Sequence, residues 1–199
     1  NEGNTLKLDI EKKWGFKFFD AVIGNPPYQV LKKGNKKSKA IWNCFTIKCI
    51  DFLNINGYIL FIHPSGWRAP DGAYRDVYKK ITDRNLIYIN MNNFQQGKKV
   101  FGVGTNFDYY LLQNNNIKQD IKVVDIYDKE YKIEYLYLKR WNFIPRGYFK
   151  LFEKLLGKKK KVEGLYSRSL YGTDKKNMQK IKDIKFKYPC CYTITKKNG

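Results

Sequence analysis

The chain reads as an α/β protein with a mostly parallel sheet. Three observations predict this. Short apolar runs end abruptly at glycine or proline. Segments with helical spacing of apolar residues alternate with those runs. A hydrophobic content of 43% over 199 residues suffices for a packed core.

The first run is residues 18–24, whose Val-Ile centre suits a strand buried on both faces. Pro26 and Pro27 end it, because proline cannot donate to a sheet ladder. Residues 29–39, QVLKKGNKKSK, read as a basic loop. Ile41, Phe45, Cys49, Phe52 and Leu53 recur at helical spacing, and Gly57 after Asn56 reads as the stop. Residues 58–62, YILFI, predict a second buried strand, ended by Pro64. Asp71 is placed to cap a helix with Tyr74, Val77, Tyr78 and Ile81 on one face. Residues 86–90 predict a third strand. The strand–helix–strand–helix–strand order gives the fold class.

Three further strands are expected at 107–113, 122–128 and 131–138, as antiparallel pairs at the sheet edge. An amphipathic helix is expected over 146–156, with Phe149, Phe152, Leu155 and Leu156. Beyond it the chain is Lys-rich and weakly patterned. The expected division is residues 1–142 as one domain and 143–199 as a linker and the start of a second region.

The net charge of +21 favours a polyanionic partner, most simply nucleic acid, although A/T-rich codons alone also raise Lys content. No apolar run is long enough to span a membrane, and the N-terminus is not a signal peptide. Cys44, Cys49, Cys190 and Cys191 have no CxxC spacing, so no metal site is expected and all four read as reduced thiols of a cytoplasmic protein. The chain starts without methionine and stops just past an apolar run, so it reads as a fragment of a longer protein.

Asn25-Pro26-Pro27-Tyr28 carries the chemistry. In open α/β sheets, ligands bind at the carboxyl ends of strands. Two prolines fix two φ angles there before a ligand arrives. The Pro26 carbonyl and the Asn25 side-chain carbonyl are two acceptors close together, suited to holding both hydrogens of one NH₂ group. Tyr28 offers a flat face on which a planar base can stack. Such a clamp fits the exocyclic amine of a nucleobase flipped out of its duplex. The tetrad arises by chance in a chain of this size on the order of one time in a thousand.

FDAVIGNPPYQ closely resembles the catalytic motif of the amino-methyltransferases that use S-adenosylmethionine, above all the N6-adenine DNA methyltransferases of restriction–modification systems. AIWNCFTIKCIDFLNINGYILFIHPSGW resembles the helix, turn and strand that follow, and KKVFGVGTNFDYYLLQN the later base-pocket segment. The resemblance covers about residues 1 to 115 and is weaker to about 150.

It implies the C-terminal part of a Rossmann-like S-adenosylmethionine-dependent sheet, followed by the start of a target-recognition region. Asn25, Pro26 and Tyr28 would be catalytic. Tyr28 and Phe101 would contact the base. Phe45, Pro27 and Asn4 would lie on the cofactor side, Asn4 standing where the family usually has Asp. Lys32, Lys33, Lys36 and Lys37 would touch the backbone of double-stranded DNA. A restriction endonuclease, fused or separate, is the implied partner.

The family's Gly-rich cofactor loop has no counterpart before Asn25, so the fragment alone is expected to be inactive. The GVG of Gly102 and Gly104 lies downstream in the base-pocket segment and is not read as a nucleotide loop. His63 is read as a backbone-bonded loop residue rather than a general base. Trp67 is read as structural, and Arg68 as a residue that could shape the pocket mouth or touch a phosphate. The same tetrad also occurs in enzymes that methylate RNA bases or a protein glutamine amide, and a non-catalytic DNA-binding fragment is a third alternative.

Overall fold

The computed structural model describes residues 4–30, 38–69, 72–141, 143–156, 179, 181–185 and 187. It divides into a compact unit, Asn1–Lys159, and a second unit, Lys160–Gly199. The first holds a mixed six-stranded sheet. Its strands are β1 (Phe19–Gly24), β4 (Leu53–Pro64), β5 (Asn85–Asn92), β6 (Phe107–Gln113), β7 (Ile121–Val124) and β8 (Glu130–Ile133). Two short strands, β2 (Gln29–Val30) and β3 (Lys39–Ala40), form a separate antiparallel ribbon. The six-stranded order is β1-β4-β6-β5-β7-β8. β1, β4, β5 and β7 run in one direction, and β6 and β8 run against them.

The expected α/β class is therefore present, with one correction to the edge. β6 does not lie at the edge. It inserts between β4 and β5 and pairs antiparallel with both. Its buried residues, Phe107, Asp108, Tyr110 and Leu112, suit a central strand. Strand order is set by non-local pairing, which local alternation does not encode.

Helix α1 (Ile10–Trp14) precedes β1, and helices α2 (Trp42–Asp51) and α3 (Arg75–Thr82) follow β3 and β4. Helix α2 buries Trp42, Thr46, Cys49 and Ile50, four and three residues apart on one face. It packs on β4, and α3 packs on β5 through Val77, Tyr78 and Ile81. These helices cover one face of the sheet. On that face, alternate residues of β4, Ile59, Phe61 and His63, are buried. On the other face, Ile23 and Leu60 sit opposite each other in register and both are exposed. The expectation that β1 is buried on both faces fails here: Val22 is half-buried and Ile23 exposed, and among the described residues β1 is an edge strand that pairs with β4 alone.

Gly57 is not the helix stop. Helix α2 ends at Asp51, Asn56 takes a positive φ of 65°, and Gly57 lies inside β4. A Cβ there would meet the carbonyl oxygens of Phe19, Asn54 and Asp20 at 3.0–3.1 Å. The expected strand over 131–138 also divides: it becomes β8 and then α5 (Tyr135–Trp141). Leu138 and Trp141 are buried three residues apart, and Tyr137 stacks on Trp141 at 5.2 Å. That helical spacing won over the Tyr-Leu-Tyr-Leu alternation. Asp71, the expected cap of α3, lies outside the described residues.

Helix α6 (Phe149–Leu156) starts three residues later than expected. Phe149 packs on Tyr131 of β8 at 5.0 Å and on Trp141 at 6.2 Å. The division expected at residue 142 thus falls inside the first compact unit.

Two isoleucines test the one-sided core. Ile59 is 0% exposed and Ile23 is 78% exposed. Ile59→Ala is expected to lower the unfolding free energy by about 3 kcal/mol, and Ile23→Ala by well under about 1 kcal/mol. Denaturant melts of the two variants measure the difference.

Candidate functional site

Strand β1 delivers Asn25 to the carboxyl edge of the sheet. Its last residue, Gly24, lies in register with Phe61, and a Cβ at Gly24 would come within 3.1 Å of the Phe61 ring. Glycine lets β1 approach β4 closely at the point where the chain turns. Beyond it, Asn25 is exposed, Pro26 buried, Pro27 exposed and Tyr28 half-buried. The Tyr28 carbonyl accepts the Ile41 N–H at 3.1 Å, which fixes the step to the residue before α2. The Tyr28 hydroxyl is buried without a partner among the described residues, and burial raises its pKa.

Phe101 approaches Tyr28 edge-on, with ring centroids 6.1 Å apart at 75°. It also packs on Phe107 at 4.9 Å. Phe101 closes helix α4 (Phe94–Phe101), which the sequence reading did not anticipate. The signal was there. Asn93 caps the helix by accepting from Gln95 and Gln96 N–H, and Gln96 Oε1 accepts the Asn93 N–H at 2.7 Å. Gly102 follows with φ 72° and ends it.

The GVG segment packs closely against helix α4. A Cβ at Gly104 would overlap the Phe94 ring, and one at Gly97 would overlap the Thr105 carbonyl. These two glycines let the loop after α4 fold back against the helix and hold Phe101 beside Tyr28.

The cofactor-side candidates are less convergent. Asn4 Oδ1 accepts the Leu6 N–H at 3.0 Å and so caps the turn Thr5–Lys7. Phe45 is half-buried on α2, which packs on that same turn. No hydrogen bond or ring contact joins Asn4, Phe45 and Pro27 among the described residues. Lys32, Lys33, Lys36 and Lys37 lie outside the described residues. Cys190 and Cys191 do too, whereas Cys44 is an exposed and Cys49 a buried free thiol.

His63 is fully buried in β4, not in a loop. Its Nδ1 lies 3.0 Å from the Pro64 carbonyl, so Nδ1 carries the proton and donates. Nε2 then accepts from the Tyr110 hydroxyl at 3.3 Å. The ring stacks on Trp42 at 4.5 Å. Burial lowers its pKa to about 4, so it is neutral at pH 7.

The sequence reading missed Asp108, an acid inside the apolar run FDYYLLQ. It is fully buried and accepts from Trp67 Nε1 at 3.1 Å, and Arg68 Nε forms an ion pair with it at 3.1 Å. Burial raises its pKa to about 6, against the pull of Arg68. Trp67 is thus structural and buried.

Residues 4–101 match the family model described as Eco57I restriction-modification methylase, just under half of the chain. The matched segment includes Asn25–Tyr28 and Phe101. Among solved structures, the type IIG restriction endonuclease BpuSI shares the fold at TM-score 0.50 and 11% identity, over 76% of this chain and 22% of that one. The type I restriction enzyme EcoKI M protein aligns at TM-score 0.47 and 18% identity, over 62% of this chain and 28% of that one. A type I restriction-modification methyltransferase subunit from Streptococcus thermophilus aligns at TM-score 0.47 and 18% identity, over 61% and 29%. The chain spans under a third of the length of each of these three. The search of curated proteins found no match. No helix among the described residues is long and apolar enough to cross a membrane.

His63 and Asp108 give opposite pH terms. His63 binds its proton in the unfolded chain near pH 6.5 but in the fold only near 4, so stability falls as pH drops through that window. Asp108 binds its proton in the fold near 6 but in the unfolded chain near 3.8, so stability rises over nearly the same window. Each is worth about 3 kcal/mol at full effect, and they largely cancel. Asp108→Asn should uncover the His63 term: beyond a pH-independent loss from leaving Arg68 unpaired, the variant should lose about 3 kcal/mol more than the parent between pH 6.5 and 4. Thermal melts across that range measure it.

Proposed function

We propose that this chain is the methyl-acceptor half of an S-adenosylmethionine-dependent methyltransferase that acts on the N6 amine of a flipped-out adenine in double-stranded DNA, within a restriction–modification system. The carrying observation is the rigid Asn25-to-Tyr28 step at the carboxyl end of β1, with Phe101 edge-on to Tyr28. The methylase family match over residues 4–101 supports it.

In this reading, Asn25 Oδ1 and the Pro26 carbonyl accept the two hydrogens of the adenine amine. That amine is a poor nucleophile because its lone pair is delocalised into the ring. Holding both hydrogens out of the ring plane favours a localised lone pair aimed at the methyl group. Tyr28 stacks on the base, and Phe101 fixes the Tyr28 ring and closes the pocket from the side. The amine sheds its proton to water after transfer. His63 takes no part, because its Nδ1–H and Nε2 are already paired and its ring is buried.

The residues present fit one end of the cofactor. Phe45 offers an aromatic wall, Pro27 a rigid one, and Asn4 keeps an amide NH₂ and one lone pair of Oδ1 beyond its bond to Leu6. S-adenosylmethionine supplies the electrophilic methyl group. Lys32, Lys33, Lys36 and Lys37 are proposed to contact the DNA backbone, and the region after residue 142 to begin target recognition. A restriction endonuclease, in the same protein or a separate one, is the proposed partner.

Asn25→Ala in the full protein should cut adenine methylation by about 10²–10³-fold while duplex binding persists. Transfer of labelled methyl from S-adenosylmethionine to duplex DNA, structured RNA and a protein glutamine acceptor measures it. Transfer to RNA or protein alone, or full activity in the variant, would rule out the reading.

A further inference from the structure

A cleft lies at the end of β4, the strand next to the one that ends at Asn25. It has a volume of about 330 Å³ and is lined by Ser65, Gly66, Arg68, Ala69, Asn106, Phe143, Ile144 and Arg146. Ser65 directly follows β4 and Asn106 directly precedes β6, and Ser65 N–H donates to the Asn106 carbonyl at 3.2 Å. β1 and β4 are parallel neighbours, so this cleft opens at the same edge of the sheet as Asn25. Adjacent strands lie about 5 Å apart, which puts the two sites on the order of 10 Å from each other. Ring contacts run between them: Tyr28 to Phe101 to Phe107, and Phe107 is joined to Asn106 in the chain.

Two guanidinium groups, those of Arg68 and Arg146, line the cleft, and no carboxylate does. Arg68 is only 6% exposed. Its Nε serves Asp108 and the Ser65 carbonyl, and its Nη1 contacts Met91 Sδ at 2.7 Å. These contacts engage Nε and Nη1 and leave Nη2 outside them. Arg146, exposed, sits close enough that its charge is felt by both Arg68 and Asp108. Asp108 pairs with Arg68, and a second buried carboxylate, Asp125, lies beside Gly147, the residue after Arg146, outside the cleft lining. The backbone is fixed on both sides: Ile144 N–H donates to the Arg68 carbonyl at 2.9 Å, and Ile126 N–H to the Arg146 carbonyl at 3.2 Å. Phe143, Ile144 and Ala69 supply apolar surface between the charges.

A ligand that suits this cleft has one negative charge and an apolar ring or sugar beside it. We propose that the cleft between the Ser65–Ala69 turn and Arg146 binds a sugar–phosphate unit of the DNA strand next to the flipped nucleotide, with Arg68 Nη2 and the Arg146 guanidinium on the phosphate. This rests on the DNA reading above. Held there, the phosphate fixes the strand at one point while the clamp holds the base at another, and the two together set how far the nucleotide is rotated out.

The test is duplex binding by the full protein, read as anisotropy of a short fluorescein-labelled duplex across a salt series. The variants are Arg146→Gln and Ala69→Glu; both positions are exposed and spare the buried ion pair. Lys132→Gln, an exposed lysine on β8, is the charge control. Loss of one phosphate contact lowers the slope of log affinity against log salt by about one. Arg146→Gln is expected to do this and to weaken binding several-fold at moderate salt. Ala69→Glu should weaken it at least as much, and Lys132→Gln should leave the slope unchanged. If the parent binds the duplex and both cleft variants keep its affinity and slope, the cleft proposal fails and the DNA reading stands. If the parent does not bind the duplex at all, the DNA reading fails and the proposal with it. Titration with inorganic phosphate separates a free-anion site: phosphate binding that Arg146→Gln removes, with an unchanged duplex slope, also overturns the proposal.

Discussion

The buried contact between Asp108 and the Trp67-Arg68 turn is the point on which the carboxyl edge of the sheet depends. One carboxylate oxygen takes both the Trp67 Nε1–H and the Arg68 Nε. It thereby ties the turn after β4 to the first residues of β6. Burial of a charge is costly, and here it is offset by a cation and a directed hydrogen bond. The neighbouring residues inherit their places from it. Phe107 is held where it meets Phe101, and Phe101 where it meets Tyr28. An apolar pair of the same volume would pack as well but would not fix the direction of the turn.

The parts of the fold that were legible in the sequence are those with local causes. Residues 18–24 and 58–62 announce strands by apolar runs that end at proline. Helix α2 announces itself by spacing. The parts that were not legible have non-local causes. The run 107–113 looks like an edge strand because its polar residues, Asp108 and Gln113, have no evident partners in sequence. Its partners are Trp67, Arg68 and Tyr58, brought in only by the antiparallel pairing. Helix α4 is hidden by Gly97 in its interior, a residue that weakens a helix but is needed where the Thr105 carbonyl crosses.

The same division holds at the site. Asn25, Pro26, Pro27 and Tyr28 are contiguous, so their rigidity is written in the tetrad itself. Phe101 is distant in sequence yet in ring contact with Tyr28, a pairing that only the fold brings about. The cofactor-side residues are the least convergent, because Asn4 spends one lone pair on its own turn. Asp108 could have been found: a carboxylate in the middle of an aromatic strand needs a partner, and Arg68 is the nearby candidate.

Strand β1 carries the proposed clamp, and among the described residues it is paired along one flank only, by β4. Mechanically it resembles a shelf with two fixings: β4 along its length, and the Tyr28–Ile41 hydrogen bond just past its end. Its other flank presents unpaired backbone groups among the described residues. Any chain segment that hydrogen-bonds along that flank would add a third fixing without touching Asn25. The support of the Asn25 step is therefore open to adjustment from the side of the sheet, through backbone hydrogen bonds alone.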